Sequence, residues 1–116
     1  MIWYQRNRGN KYRAKSCIYD DIQYHSKFEA GYAQGLDYRK KAGDIKDWDR
    51  QFKVSIDING HHICNYYVDF RIFHSDGSIE LVECKGMVTP VWDLKRKLLE
   101  AVYLPENPDV KYTVVK

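Results

Sequence analysis

Ile79-Glu80-Leu81-Val82-Glu83-Cys84-Lys85-Gly86 is the stretch on which the reading of this 116-residue chain turns. Leu81 and Val82 favour extended backbone and Gly86 punctuates the end, so the stretch reads as a strand. Side chains alternate across a strand, which puts Leu81, Glu83 and Lys85 on one face. An acid and a base therefore project side by side from the end of an apolar strand. Just upstream, Ser75-Asp76-Gly77-Ser78 is a turn signal, and residues 61–73 before it read as the partner strand. Closing that hairpin brings Asp69 beside Glu83 and Lys85. Two carboxylates and a lysine at one strand end suit a divalent cation and the hydrolysis of a phosphodiester. The Glu-x-Lys tripeptide by itself is also satisfied by a cross-strand ion pair on a solvated face.

Working outward, Asn59-Gly60 is a two-residue hairpin signal that joins residues 52–58 to residues 61–73. Simple alternation puts Tyr67, Asp69, Arg71 and Phe73 on one face of the second strand and Tyr66, Val68, Phe70 and Ile72 on the other. Residues 44–50, with Trp48, read as a loop. A helix is expected over residues 26–42: Ser26 suits the N-cap, Glu29 completes a capping box, and Gly43 suits the C-cap. Phe28, Tyr32 and Leu36 form its stripe. Gly31 and Gly35 inside it imply that something approaches the helix closely. Thr89-Pro90 starts a second helix, running to about Leu104 with Val91, Leu94, Leu98, Ala101 and Val102 as its apolar stripe. Residues 110–115 are a last strand. The order is helix, three strands, helix, strand: an α/β arrangement (αβββαβ) with a mixed sheet. Residues 1–25 are read as a basic arm carrying a small hairpin at 17–24, and residues 26–116 as a single domain.

Composition narrows the class. Hydrophobic residues are 44% and charged residues 30%, which fits a folded chain rather than a disordered one. The net charge of +3 says little about partners, but its distribution says more. Arg6, Arg8, Lys11, Arg13 and Lys15 cluster without an acid, and Lys95, Arg96 and Lys97 follow one another on the second helix. Basic patches of this kind attract a phosphate backbone, and a solvated tail accounts equally for the first of them. Cys17, Cys64 and Cys84 suggest neither a disulfide framework nor a paired-cysteine zinc site, so a reducing, cytoplasmic compartment is expected. No apolar run is long enough for a membrane span. A zinc site from His61, His62, Cys64 and His74 fits no standard ligand spacing.

These elements and charges resemble the PD-(D/E)xK nuclease superfamily, with its restriction-endonuclease-like core. The match covers Ser26 to Val115. Asp69 stands for the first acid, Glu83 and Lys85 for the Asp/Glu-x-Lys pair, and Glu29 for the acid of the first helix; Val68 replaces the usual proline before the first acid. Val68-Asp69-Phe70 and Val82-Glu83-Cys84-Lys85-Gly86, followed by a basic helix, are most similar to small phage-encoded nucleases of the Holliday-junction-resolvase type. The resemblance implies an endonuclease dependent on Mg²⁺ or Mn²⁺. Asp69, Glu83, the Cys84 backbone carbonyl and Glu29 would hold metal, and Lys85 would serve the attacking water. It implies branched DNA as substrate, a homodimer carrying two active sites, and the host cytoplasm as location if the chain is phage-encoded. The alternatives are a nuclease acting on flaps or single strands, and a catalytically silent nucleic-acid-binding module.

Overall fold

The computed structural model describes residues 16–116. The chain divides into two units, one ending at Tyr38 and one running Arg39–Lys116. The basic group Arg6, Arg8, Lys11, Arg13 and Lys15 lies outside the described residues.

The first unit holds an antiparallel hairpin, β1 (Cys17–Tyr19) and β2 (Ile22–Tyr24), and most of helix α1 (Lys27–Lys41). Asp20 (φ 53) and Asp21 (φ 63) form the two-residue turn, a conformation aspartate tolerates better than most residues. The Glu29 N–H donates to Ser26 Oγ at 3.1 Å, the N-cap bond expected from the sequence. The buried face differs from the expected stripe. It is Glu29, Ala30, Ala33 and Leu36, while Phe28 is exposed, so the helix is turned to present its small side chains inward. Among the described residues nothing approaches Gly31 or Gly35 closely: a Cβ at either would meet nothing within 4 Å. The helix ends as its sequence predicts. Gly43 has φ +80, its N–H bonds Lys40 O, and the Asp44 N–H bonds Arg39 O, which together satisfy the last carbonyls.

The second unit is built on a four-stranded mixed sheet in the order β3 (Asp47–Ile58), β4 (His61–Phe73), β5 (Ile79–Cys84), β6 (Val110–Val115). The first three strands are antiparallel neighbours, and β6 returns parallel to β5 after a helical crossover. Asn59 (φ 53) and Gly60 (φ 79) make the β3–β4 turn, and Gly77 (φ 91) the β4–β5 turn. Residues 47–50 are strand, not loop: Asp47–Arg50 pair with Phe73–Phe70. The Trp48 ring meets Phe70 edge-on at 5.7 Å, and Arg71 Nε donates to Asp49 Oδ1 at 3.0 Å. Those cross-strand contacts extend the strand through a segment whose composition reads as loop.

The expected face assignment of β4 holds for only half of the strand. Leu81 is paired with Arg71 and, in parallel, with Tyr112, so all three share a face. Tyr66 is five residues from Arg71 and should lie on the opposite side. Instead its hydroxyl is 2.9 Å from that of Tyr112, and Tyr66 and Val68 belong to the same buried cluster as Leu81, Trp92 and Leu99. Phe52 joins this cluster, and the Arg71 guanidinium lies 4.2 Å from its ring. The alternation therefore reverses at Gln51 and Asp69. Gln51 has φ 55, and the pair it would form with Asp69 is missing from a register that is otherwise unbroken from Asp47 to Ile56 and shifts only at Ile56–Asp57.

Helix α2 (Pro90–Leu98) starts as expected, with Thr89 Oγ1 accepting the Trp92 N–H at 3.2 Å. Its buried residue is Trp92, and the next buried one, two turns on, is Leu99 just past its end; Val91 and Leu94 are exposed at 65% and 59%. A helical wheel favours the residues with the most apolar side chains. The fold rotates the helix by one position to bury the indole, whose N–H finds Tyr66. Nor does the helix stop before Pro105. A π turn, Leu99–Tyr103, follows, and the Leu104 N–H bonds Leu99 O before a last turn at Leu104–Glu106. Pro105 lacks an N–H and would crowd the carbonyl four residues back, and the widened turn ahead of it relieves that conflict.

Candidate active site

The sheet opens where the charged residues lie. The β4–β5 ladder ends at Phe70 and Val82. On its other side β5 stays with β6 through Cys84 and Val115, and the Lys85 N–H continues to Val115 O at 2.8 Å. The next pair in the β4–β5 register would be Asp69 with Glu83, and here side chains replace the ladder. The Asp69 N–H donates to Glu83 Oε1 at 3.1 Å, and the Cys84 N–H donates to Asp69 Oδ2 at 2.9 Å. Each carboxylate is thus clamped by a main-chain donor of the opposite strand. Both side chains are buried, at 8% and 5% exposure, although carboxylates are rarely buried this deeply without a partner.

Lys85 completes the group. Its Nζ is 3.7 Å from Glu83 Oε2 and 4.9 Å from the centroid of the Trp92 ring. Glu83 is pushed up to about 7, first by burial and then by the neighbouring charge of Asp69; the Asp69 N–H, Lys85 and the Trp92 indole pull the other way. Below the pair, the Trp92 indole N–H donates to Tyr66 OH at 3.0 Å, and Tyr66 OH shares a proton contact with Tyr112 OH at 2.9 Å. Burial and the Glu83 charge drive the Tyr66 hydroxyl upward, and burial raises Tyr112 to about 12, so both stay neutral. This aromatic wall was not expected from the sequence. Its only sequence trace is Trp92 at the third helical position after Thr89-Pro90, overlooked because Val91 and Leu94 fit the stripe.

Burial and the Asp69 charge raise the proton affinity of Glu83, and a divalent cation would offset the negative charge gathered there. Their oxygen-only chemistry suits a hard cation such as Mg²⁺ or Mn²⁺, which completes its shell with water, main-chain carbonyls and substrate phosphate. Among the described residues no group of three or more His, Cys, Asp or Glu could hold a metal ion, so Asp69 and Glu83 would supply two side-chain ligands rather than a closed cage. Two of the residues weighed for zinc, His62 and His74, have carboxylate partners. His62 bonds Asp57 at 2.8 Å, and His74 bonds Glu80 at 2.8 Å.

Glu29 belongs to the first unit, buried in the first turn of α1. On α2, Lys95 Nζ donates to Asn65 O at 3.2 Å, Arg96 is held by Asp93 and Glu100 at 2.8 Å each, and Lys97 Nζ is 3.3 Å from Asp93. Much of that basic run is therefore neutralised within its own helix. No helix among the described residues is long and apolar enough to cross a membrane.

Fold and site together define a small α/β protein with a paired-carboxylate and lysine centre at the open end of a mixed sheet. The chain belongs to the family described as "Protein of unknown function (DUF1064)", whose model matches residues 9–116. No curated protein and no solved structure matches it.

Proposed function

We propose that this protein is a metal-dependent, structure-selective DNA endonuclease with a restriction-endonuclease-like core. The observation that carries the reading is the reciprocal clamp of Asp69 and Glu83, with Lys85 beside it. Buried like charges are costly, and a fold retains them more readily where a cation or a reacting phosphate needs them. A Mg²⁺ or Mn²⁺ ion, when bound, would polarise the scissile phosphate and lower the pKa of a bound water. Asp69 and Glu83 would hold that ion, with the Cys84 carbonyl as a further oxygen. Lys85 would place its ammonium against the charge developing on the phosphate, and its stacking on Trp92 fixes where that charge sits. Tyr66 and Trp92 are themselves buried, and an apolar flank of that kind would limit water on one side of the pair.

Branched DNA is the substrate we favour, because contacts made by lysine and arginine to phosphate read shape rather than sequence. Cutting a four-way junction symmetrically takes two active sites, so a twofold dimer goes with this reading. The test is cleavage of synthetic four-way junction, flap, duplex and single-stranded DNA, with Mg²⁺ and with chelator. The expected result is Mg²⁺-dependent cleavage strongest on the junction, lost in Lys85→Ala and Glu83→Gln while DNA binding persists. Cleavage retained by purified Glu83→Gln would refute the assignment.

A further inference from the structure

Four non-glycine residues among those described have positive φ: Asp20, Asp21, Gln51 and Asn59. Three of them sit in two-residue hairpin turns, where that conformation is required. Gln51 sits inside a strand. It lies between the rungs Arg50 with Phe70 and Phe52 with Val68, so the register passes it without an inserted residue. A residue bearing a Cβ adopts this backbone only when its surroundings impose it, and such outliers gather at functional sites.

Directly across from Gln51 is Asp69. The His74 N–H to Ser78 O bond sets the phase of the β4–β5 ladder, so Phe70 and Ile72 take the rungs to β5. In an unbroken β4 the Asp69 N–H would then point the other way, to β3 and the Gln51 carbonyl. It points to β5 instead, and donates to Glu83 Oε1. The reversal of side-chain faces on both strands begins at the same rung. We propose that Gln51 is a positioning residue for the Asp69–Glu83 centre. Its left-handed backbone turns the Asp69 N–H out of the β3 ladder and onto the Glu83 carboxylate, which holds the two carboxylates together as one donor set. The consequence for catalysis rests on the nuclease reading; the positioning itself does not.

The experiment compares Gln51→Gly, which adopts positive φ freely, with Gln51→Val, which resists it and favours a regular strand. Mn²⁺ affinity is read by titration calorimetry, and junction cleavage in parallel. Gln51→Val is expected to lose at least about tenfold in Mn²⁺ affinity, the usual effect of removing a residue that orients a metal ligand, while Gln51→Gly stays within about threefold of the natural protein. Unchanged affinity in Gln51→Val, or equal losses in both variants, overturns the proposal. A second measurement is independent of metal and of whether Gln51→Val folds. The Asp69 amide proton, followed by NMR, should lie downfield in the natural protein and in Gln51→Gly, and move upfield when Glu83→Gln is added to either. An Asp69 amide indifferent to Glu83→Gln overturns the positioning claim. Failure of the natural protein to bind Mn²⁺, with the amide response intact, overturns the nuclease reading alone.

Discussion

Replacing Glu83 by glutamine should make the metal-free protein more stable at neutral and alkaline pH. The folded protein holds the Glu83 proton up to about pH 7, whereas the ordinary glutamate value is 4.5. Between those two values the folded state binds more protons than the unfolded chain, so stability falls as pH rises. The stabilising proton is fully present below 4.5 and lost as pH passes about 7. At about 1.4 kcal/mol for each pH unit, the rise makes the charged carboxylate cost about 3 kcal/mol. Glu83 is only 5% exposed, so solvent screening takes little from that figure. In a domain of this size it corresponds to a difference of about 10 °C or more in Tm. The measurement is thermal and urea unfolding from pH 4.5 to 8.5 in chelator, natural protein beside Glu83→Gln. The two should be close at the acid end and diverge upward, with the glutamine variant more stable. Saturating Mn²⁺ should then recover the natural protein's deficit above pH 7 and leave Glu83→Gln unmoved. Parallel curves, or a glutamine variant that is the less stable at pH 8, would show that the pair is not the strained, charge-deficient centre described here.

Other expectations follow from particular contacts. Gly31→Ala and Gly35→Ala should each stabilise by about 0.5–1 kcal/mol in urea unfolding, since a Cβ meets nothing at either position and the helix gains propensity. Leu99→Ala should cost about 2–5 kcal/mol, whereas Leu94→Ala should stay within about 0.5 kcal/mol; comparable losses at both would mean that the helix face is wrongly assigned. Trp92→Phe removes the donor to Tyr66 OH and should cost about 1–3 kcal/mol by the same measurement. Its cleavage of DNA should fall further than its stability accounts for, because Lys85 also exchanges the indole face for a smaller phenyl one that holds a cation less strongly.

The elements legible in the sequence were those specified locally. Asn59-Gly60, Ser75 to Ser78 and Thr89-Pro90 each dictate a turn or cap through their own backbone preferences, and each occurs where it was expected. The strand expected at residues 79–85 occurs as Ile79–Cys84, with Lys85 just past its end, because its apolar residues and the glycine after it specify it locally. The second helix's buried face differs from the one its apolar count favours because its buried residue is chosen by a hydrogen bond to Tyr66, 26 positions away, which neither periodicity nor propensity records: a tertiary contact outweighs the local apolar count.

The reversal at Gln51 has a different reason for being invisible. Trp48, Phe52, Val54 and Ile56 keep the same even spacing straight through it, as do Tyr66, Val68, Phe70 and Ile72 on the partner strand. A strand with one wet face would betray a flip by exchanging polar for apolar positions. This sheet is apolar on both sides: Phe70, Ile72 and Val82 are fully buried outside the cluster that holds Val54, Val68 and Leu81. Reversing the strand therefore leaves its hydrophobic pattern intact. What the flip does change is the direction of main-chain donors, and sequence periodicity carries no record of those. The acidic pair could be read because it consists of side chains. The backbone N–H that holds it together could be found only in three dimensions.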